Sequence, residues 1–442
     1  RLDGIVTYWR TWLAANGDRL GLTCHTSLAY ELALDLGLDG LRAWVAEWQE
    51  RNVALRPECG PWYEGLLIVL DGLSAFVTAH AAAARQVAAS LADPGEAAEL
   101  ERAAVACERV AHATPGSFQE AVQLFYLVFC ACGHDSPGPI DRYLYPPLQR
   151  DLERGATTLA QAQEIVDCLW LKFAARTAYG ATLAGQQRDG TDATNELSFL
   201  CLSAIRRLRL LSPRTAVRWH RGLSPDFWAE AIDTVASGAG FPSLVNDEAI
   251  LAAACARGQR LEDAREYTFV GCGQTYPHGR GHGNYEDVVV NAPQAIELAL
   301  RNGVDPATGQ RLGPPTGAAE QLATFADFLG ACRAQLDHLV HERIESVNRR
   351  RAATAGRAVD YLRSLFTRSC VERGLDWHGG GADYSEGMVD LVGFTTVTDS
   401  LVAVQQGVYE QRRVSLPELV AILDRNWEGH EPLRRLFRER LP

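Results

Sequence analysis

Cys272 stands in Tyr267-Thr-Phe-Val-Gly-Cys-Gly-Gln-Thr-Tyr276, an apolar run that breaks into glycine on both sides of a thiol. An apolar, β-prone run bounded by glycine predicts a buried strand ending in a turn. Gly271 and Gly273 lack Cβ atoms, so the backbone can turn sharply and a second molecule can approach the sulfur closely. Gln274, His278, Arg280 and His282 follow, interleaved with Gly279, Gly281 and Gly283. Thiol, amide and imidazole together can form a nucleophilic Cys–His pair, whose partners are usually distant in sequence. They can also bind zinc through Cys272, His278 and His282, although the spacing matches no closed structural site and a fourth ligand must come from elsewhere. A dinucleotide fingerprint is absent, because GxGxxG requires glycine where Tyr276 stands, and no phosphate-binding GxxxxGK[ST] occurs.

Two further segments are rich in polar groups that folding alone rarely requires. One is Gly374-Leu-Asp-Trp-His-Gly-Gly-Gly-Ala-Asp-Tyr384, and the other is Ser243-Leu-Val-Asn-Asp-Glu248. Asp376, His378, Tyr384 and Asn246 are their candidate functional side chains. The competing reading of each is a surface turn.

The elements that must position these groups alternate between helix and short strand. Apolar residues recur at three- and four-residue spacing in Leu36 to Gln49 and Pro94 to His112, and residues 1–110 read as helical. Ser117 followed by Glu120 forms a helix-starting box. Helices are predicted over 118–132, 159–176, 192–208, 225–236, 319–351 and 416–441, the last broken at Glu428-Gly429-His430. Strands are predicted at Thr215–Trp219, Phe241–Val245 and Tyr267–Val270, and a long loop at 304–318. This alternation predicts an α/β architecture. The 442 residues exceed the roughly 250–300 that one core fills, so one oversized domain or two are expected.

The balance of 43 basic and 55 acidic residues leaves a net charge of −12, which argues against nucleic acid or an anionic membrane as partner. No uninterrupted apolar run reads as membrane-spanning; Val122 to Cys132 is too short and reads as a buried helix. Eleven cysteines without a CxxC pair predict reduced thiols and a cytoplasmic location.

Taken in order, several segments resemble the glycyl radical enzymes, the pyruvate formate-lyase and diol-dehydratase superfamily. They are Ser117-Phe-Gln-Glu-Ala-Val-Gln123, Asp141-Arg-Tyr-Leu-Tyr-Pro146, Asp192-Ala-Thr-Asn-Glu-Leu-Ser198 and Gly240-Phe-Pro-Ser-Leu-Val-Asn-Asp247. Gly271-Cys272, Gly379-Gly-Gly-Ala-Asp-Tyr384 and Asn426-Trp-Glu-Gly-His-Glu431 complete the set. The resemblance implies a ten-stranded α/β barrel of two half-barrels surrounded by helices. On that reading residues 1–115 form an N-terminal helical region and residues 116–442 the barrel with its cysteine loop. It implies that Cys272 becomes a thiyl radical and cleaves a C–C, C–O or C–N bond in a small polar metabolite, by elimination or decarboxylation. It places Gln274, His278 and His282 beside the reaction, and Asp376, His378, Tyr384, Asn246 and Arg280 around the substrate.

The departures from the family pattern are informative. The family carries its radical glycine beyond the Asn-x-Glu-Gly-x-Glu helix, and no such segment occurs among these residues. The expectation is therefore a glycyl radical on a separate small subunit or on a longer chain, installed by a radical S-adenosylmethionine activating enzyme. No cofactor or metal is expected on this chain itself, and a homodimer is a further implied assembly. Gln274 stands where many members have a glutamate, and an amide cannot exchange a proton usefully near neutral pH. The neighbours of Cys272 are glycines, whereas formate-lyase chemistry uses two adjacent cysteines, so formate acetyl transfer is not expected. Pro139 and Arg142 also depart from the family's pattern. A barrel without radical chemistry, serving as a binding or scaffolding subunit, is the rival reading.

Overall fold

The computed structural model describes residues 25–133 and 135–441, with the backbone alone at 284–288 and 354. The chain divides into two compact units. One comprises Cys24–Gly283 and Ala355–Glu386; the other includes Asn284–Thr354 and Gly387–Pro442.

The first unit opens with the helices Glu31–Leu55, Gly60–Ala88, Pro94–Val110 and Phe118–Ala131. Local chemistry fixes their starts. Asp93 accepts from the amide of Gly95 ahead of Pro94, while the Ser117 hydroxyl accepts from the Glu120 amide and the Glu120 carboxylate takes the Gly116 amide. Phe118–Ala131 packs on both Glu31–Leu55 and Pro94–Val110. The boundary expected at residue 115 therefore falls inside one compact unit, because the helices on either side of it share a core. The Pro57–Ala88 stretch, at mean hydropathy 1.7, is long and apolar enough to cross a membrane by length and composition. Glu64 and Asp71 interrupt its apolar run. Its Tyr63, Leu66, Leu70, Leu73 and Val77 stripe is buried in the core.

Three strands then form a parallel sheet in the order β1 (Gly180–Ala184), β2 (Arg214–Trp219) and β3 (Ser243–Asn246). The helices Glu196–Leu208 and Pro225–Ala236 make the crossovers that parallel strands require. The first crossover helix starts at Glu196, later than expected, because the Asn195 side chain caps the amides of Leu197 and Ser198. β4 (Tyr267–Val270) and β5 (Gln274–Pro277) form an antiparallel hairpin, and β6 (Gly281–Asn291) pairs with β7 (Tyr384–Val392).

Among the described residues the strands thus number seven in three sheets, and the ten-stranded barrel is not formed by them. The sheet ends at β1, whose far edge bonds Gly138: Gly138 donates to the Gly180 carbonyl at 3.1 Å and accepts the Thr182 amide at 2.8 Å, an isolated bridge. The Thr182 hydroxyl accepts the Phe269 amide at 3.0 Å and meets the Thr268 hydroxyl at 2.6 Å. These side-chain bonds, rather than a backbone ladder, fasten β4 to β1. Gly180 permits the approach, since a Cβ would lie 2.2 Å from the Phe269 carbonyl oxygen.

Arg218 on β2 locks this region. It is fully buried, grips Asp247 with two bonds of 2.9 and 2.8 Å, and lies 3.9 Å over the Tyr267 ring. The Tyr267 hydroxyl donates to the same carboxylate at 2.7 Å. A buried guanidinium needs this kind of bidentate pairing to offset its lost hydration.

The second unit contains Pro293–Leu300, Phe325–Thr354 and Phe394–Val404, with Leu416–Leu423 and Glu431–Glu439 at its end. The C-terminal helical stretch is interrupted between the last two, around the expected Glu428–His430 break. The long helix starts at Phe325, after Thr324 accepts from the Asp327 amide. The expected loop at 304–318 contains only the isolated bridge between Val304 and Arg311.

Candidate active site

Gly271, Cys272 and Gly273 form the whole connection between β4 and β5, whose last paired residues are Val270 and Gln274. The Gly273 amide donates to the Val270 carbonyl at 3.1 Å and closes the turn. Both glycines hold positive φ, 53° and 121°, which side-chain-bearing residues rarely adopt. A Cβ at Gly271 would also lie 2.3 Å from the His25 ring. Cys272 is presented at the tip and is exposed in this chain. Of the ten cysteines among the described residues, all free, most are buried or half-buried.

Residues that sequence reasoning did not single out brace this tip. The Ser136 hydroxyl accepts the Gly271 amide at 3.4 Å and the Gly180 amide at 3.3 Å, joining hairpin to sheet. His25 Nδ1 lies 2.7 Å from the Asp135 carboxylate, and its ring sits 4.3 Å from that of Tyr179. The same carboxylate accepts the Thr26 amide. A His–carboxylate pair therefore stands directly against the residue preceding Cys272. The signal in the sequence was Asp135-Ser136-Pro137-Gly138, just ahead of the Asp141 segment.

Gln274 follows the tip, and its Oε1 is buried without a hydrogen-bond partner among the described residues. An unpaired buried acceptor costs about 1–3 kcal/mol until something donates to it.

His278 is elsewhere engaged. It is buried, its Nδ1 meets the Ser27 hydroxyl at 2.8 Å, its Nε2 meets Glu31 at 3.1 Å, and its ring stacks on Tyr143. Burial pushes the Glu31 carboxyl up, but His278 and Arg368 outweigh it and hold Glu31 at about 2. With both ring nitrogens occupied, His278 pins the helix Glu31–Leu55 to the strand exit and has no nitrogen left for proton transfer or zinc. No group of three or more His, Cys, Asp or Glu side chains suited to a metal ion occurs among the described residues.

His282 and His378 do meet, at 3.4 Å between Nε2 and Nδ1, with Ser385 3.2 Å from His282 Nδ1 and the Trp377 ring 4.3 Å away. The two polar segments thus converge through this pair. The remaining expected substrate groups are committed to protein partners. Arg280 bonds Asp383 at 2.7 Å and faces Asp263 at 3.4 Å; the Tyr384 hydroxyl donates to Asp263 at 2.6 Å. Asp376 accepts from the amides of His378 and Asp360 and from the Ser364 hydroxyl. Asn246 caps the helix Asp247–Ala256 through the Glu248 amide at 2.9 Å. Asp141, pushed up to about 6 by burial, accepts from Ser198 and from the Ala184 amide at the end of β1. Arg142 spans from it to the carbonyls of Ala184 and Gln186.

A thiol raised on a glycine-flanked hairpin beside a short parallel sheet defines the class. The pyruvate formate lyase-like family matches residues 21–442, and the chain belongs to it. It is 28% identical over 439 residues to the (2S)-3-sulfopropanediol dehydratase of Klebsiella oxytoca, covering 93% of this chain and 53% of that protein. It is 30% identical to the isethionate sulfite-lyase of Desulfovibrio desulfuricans, covering 92% of this chain and 53% of that protein. Among solved structures, the glycerol-bound B12-independent glycerol dehydratase of Clostridium butyricum superposes with a TM-score of 0.86 at 27% identity, covering 94% of this chain and 56% of that one. The chain spans about half the length of these relatives.

Proposed function

We propose that this chain is the cysteine-bearing part of a glycyl radical lyase acting by elimination or decarboxylation on a small polar metabolite. The observation that carries the reading is Cys272 alone at a hairpin tip between two glycines of positive φ, in a chain of this family. A glycyl radical, carried on polypeptide other than these residues and installed by a radical S-adenosylmethionine activase, would supply the unpaired electron. The Cys272 thiol gives up its hydrogen atom: the S–H bond breaks and the sulfur keeps one electron. The thiyl then takes a hydrogen atom from a substrate C–H bond, re-forming S–H. After the substrate radical loses its leaving group, the same thiol returns a hydrogen atom to the product radical. Gln274 Oε1 accepts a substrate O–H or N–H, and the His282–His378 pair, with the His25–Asp135 pair against Gly271, supplies the titratable groups for proton transfer.

Exposure of Cys272 in this chain bears on the reading. Radical chemistry requires a chamber closed to water. We therefore propose that polypeptide outside these residues covers the tip and completes the ten-stranded barrel to which β1–β3 and the hairpin contribute.

The test is anaerobic activation of the native assembly followed by turnover assays on small diols, amino alcohols and sulfonates. Cys272→Ala abolishes turnover and leaves the circular dichroism spectrum unchanged. Turnover retained in that variant removes the proposal.

A further inference from the structure

A pocket of about 410 Å³ opens on the helical side of the first unit, where three helices converge. Its wall carries Lys172 and Arg176 from the helix Leu159–Arg176, His80 from Gly60–Ala88, and Gln123 and Tyr126 from Phe118–Ala131. No aspartate or glutamate lines it, in a chain whose net charge is −12 and whose only lysine is Lys172. Neither Lys172 nor Arg176 forms an ion pair with a carboxylate among the described residues; Lys172 lies 5.2 Å over the Tyr126 ring.

The uncharged polar groups in the wall are engaged within it, so Lys172 and Arg176 carry the charge the pocket presents. Burial pushes the Tyr126 phenol up to about 12 and raises the Cys130 thiol, so both keep their hydrogens at neutral pH, and the two side chains hydrogen-bond each other. His80 donates Nδ1–H to the Phe76 carbonyl at 2.9 Å, so Nε2 is an acceptor on the neutral ring and donates to an oxyanion only on the protonated ring. Phe76 and Tyr126 add flat apolar surface. The single competing explanation is that Arg176 merely complements the carbonyls at its helix C-terminus, an effect worth about 0.3–1 kcal/mol. That accounts for Arg176 alone, and not for a lysine one turn earlier or an imidazole from a different helix.

We propose that this pocket binds a compact phosphate-bearing small molecule, its oxyanion between Lys172 and Arg176 and its body against Phe76 and Tyr126. The volume suits such a ligand, since small-molecule pockets run from about 300 to 1,000 Å³. Charged donors favour an oxyanion, and arginine engages it with a planar fork. The site lies on elements separate from the Cys272 hairpin.

Isothermal titration calorimetry at low salt, with inorganic phosphate, pyrophosphate and adenosine monophosphate as probes, tests this on the native assembly. The expected result is saturable binding of adenosine monophosphate at one site per chain, tighter than inorganic phosphate. The Lys172→Gln/Arg176→Gln double variant should weaken it by roughly tenfold or more, since a charge-assisted bond contributes about 1.5–3 kcal/mol. Both residues are exposed, and thermal denaturation checks that the variant stays folded. Absence of saturable binding by all three probes overturns the proposal, as does binding that the double variant leaves intact. Equal affinity for the three overturns the ligand class, because the pocket would then hold a free oxyanion only.

Discussion

The Cys272 hairpin and the charge network around Asp263 are both rich in reactive groups, yet they are built on opposite terms. Asp263 is fully buried, faces Arg188 at 2.8 Å and Arg280 at 3.4 Å, and accepts from Arg260 and from the Tyr384 hydroxyl. Each charge of that network faces an opposite charge of the same unit, even where a single atom, Asp263 Oδ1 or Arg280 Nε, makes no hydrogen bond. At the hairpin the thiol is exposed and the Gln274 acceptor is unanswered. Polar richness in a sequence marks both kinds of region equally. Ion pairing separates the groups that hold the fold from the exposed thiol and the neutral acceptor beside it.

This contrast can be broken by experiment. Asp263→Ala strands several cations around an uncompensated site and should cost on the order of 3 kcal/mol of stability by chemical denaturation. A loss under 0.5 kcal/mol would show that the network is ornamental. Glu31 gives the next effect. Its folded carboxyl lies at about 2 against an ordinary 4.5, so its contribution is complete above pH 4.5 and disappears as the pH falls through about 2. That contribution is on the order of 2–3 kcal/mol. Glu31→Gln should flatten the stability profile between those limits; an unchanged acid limb would remove His278 and Arg368 as its cause. Cys272→Ala should give the smallest stability change, within about 0.5 kcal/mol, despite its total effect on turnover.

Much of this organisation was legible in the sequence. The strand and the turn at Tyr267–Gly273 followed from apolar patterning cut by glycine, and the order of short motifs identified the family, whereas the exposure of the thiol runs against the enclosed chamber that the family resemblance implied. The partners of the polar groups were not legible. His278 meets Ser27 and Glu31 some 250 residues away along the chain, at separations of 251 and 247. No local pattern reveals such a contact, so a histidine near a cysteine read as a proton carrier. His25 and Asp135 escaped notice for the same reason, being 110 residues apart and adjacent only in the fold. β6 and β7 were also missed, because glycine and polar residues at their starts read as loop.

Electron paramagnetic resonance of the activated assembly transferred into D2O tests the central claim most directly. An S–H relay exchanges with solvent, so hydrogen passing through the Cys272 sulfur carries deuterium back to the radical-bearing carbon. The account predicts that the proton-split doublet collapses in the wild-type assembly and persists in Cys272→Ala. A doublet that persists in the wild type, or collapses equally in the variant, would contradict it.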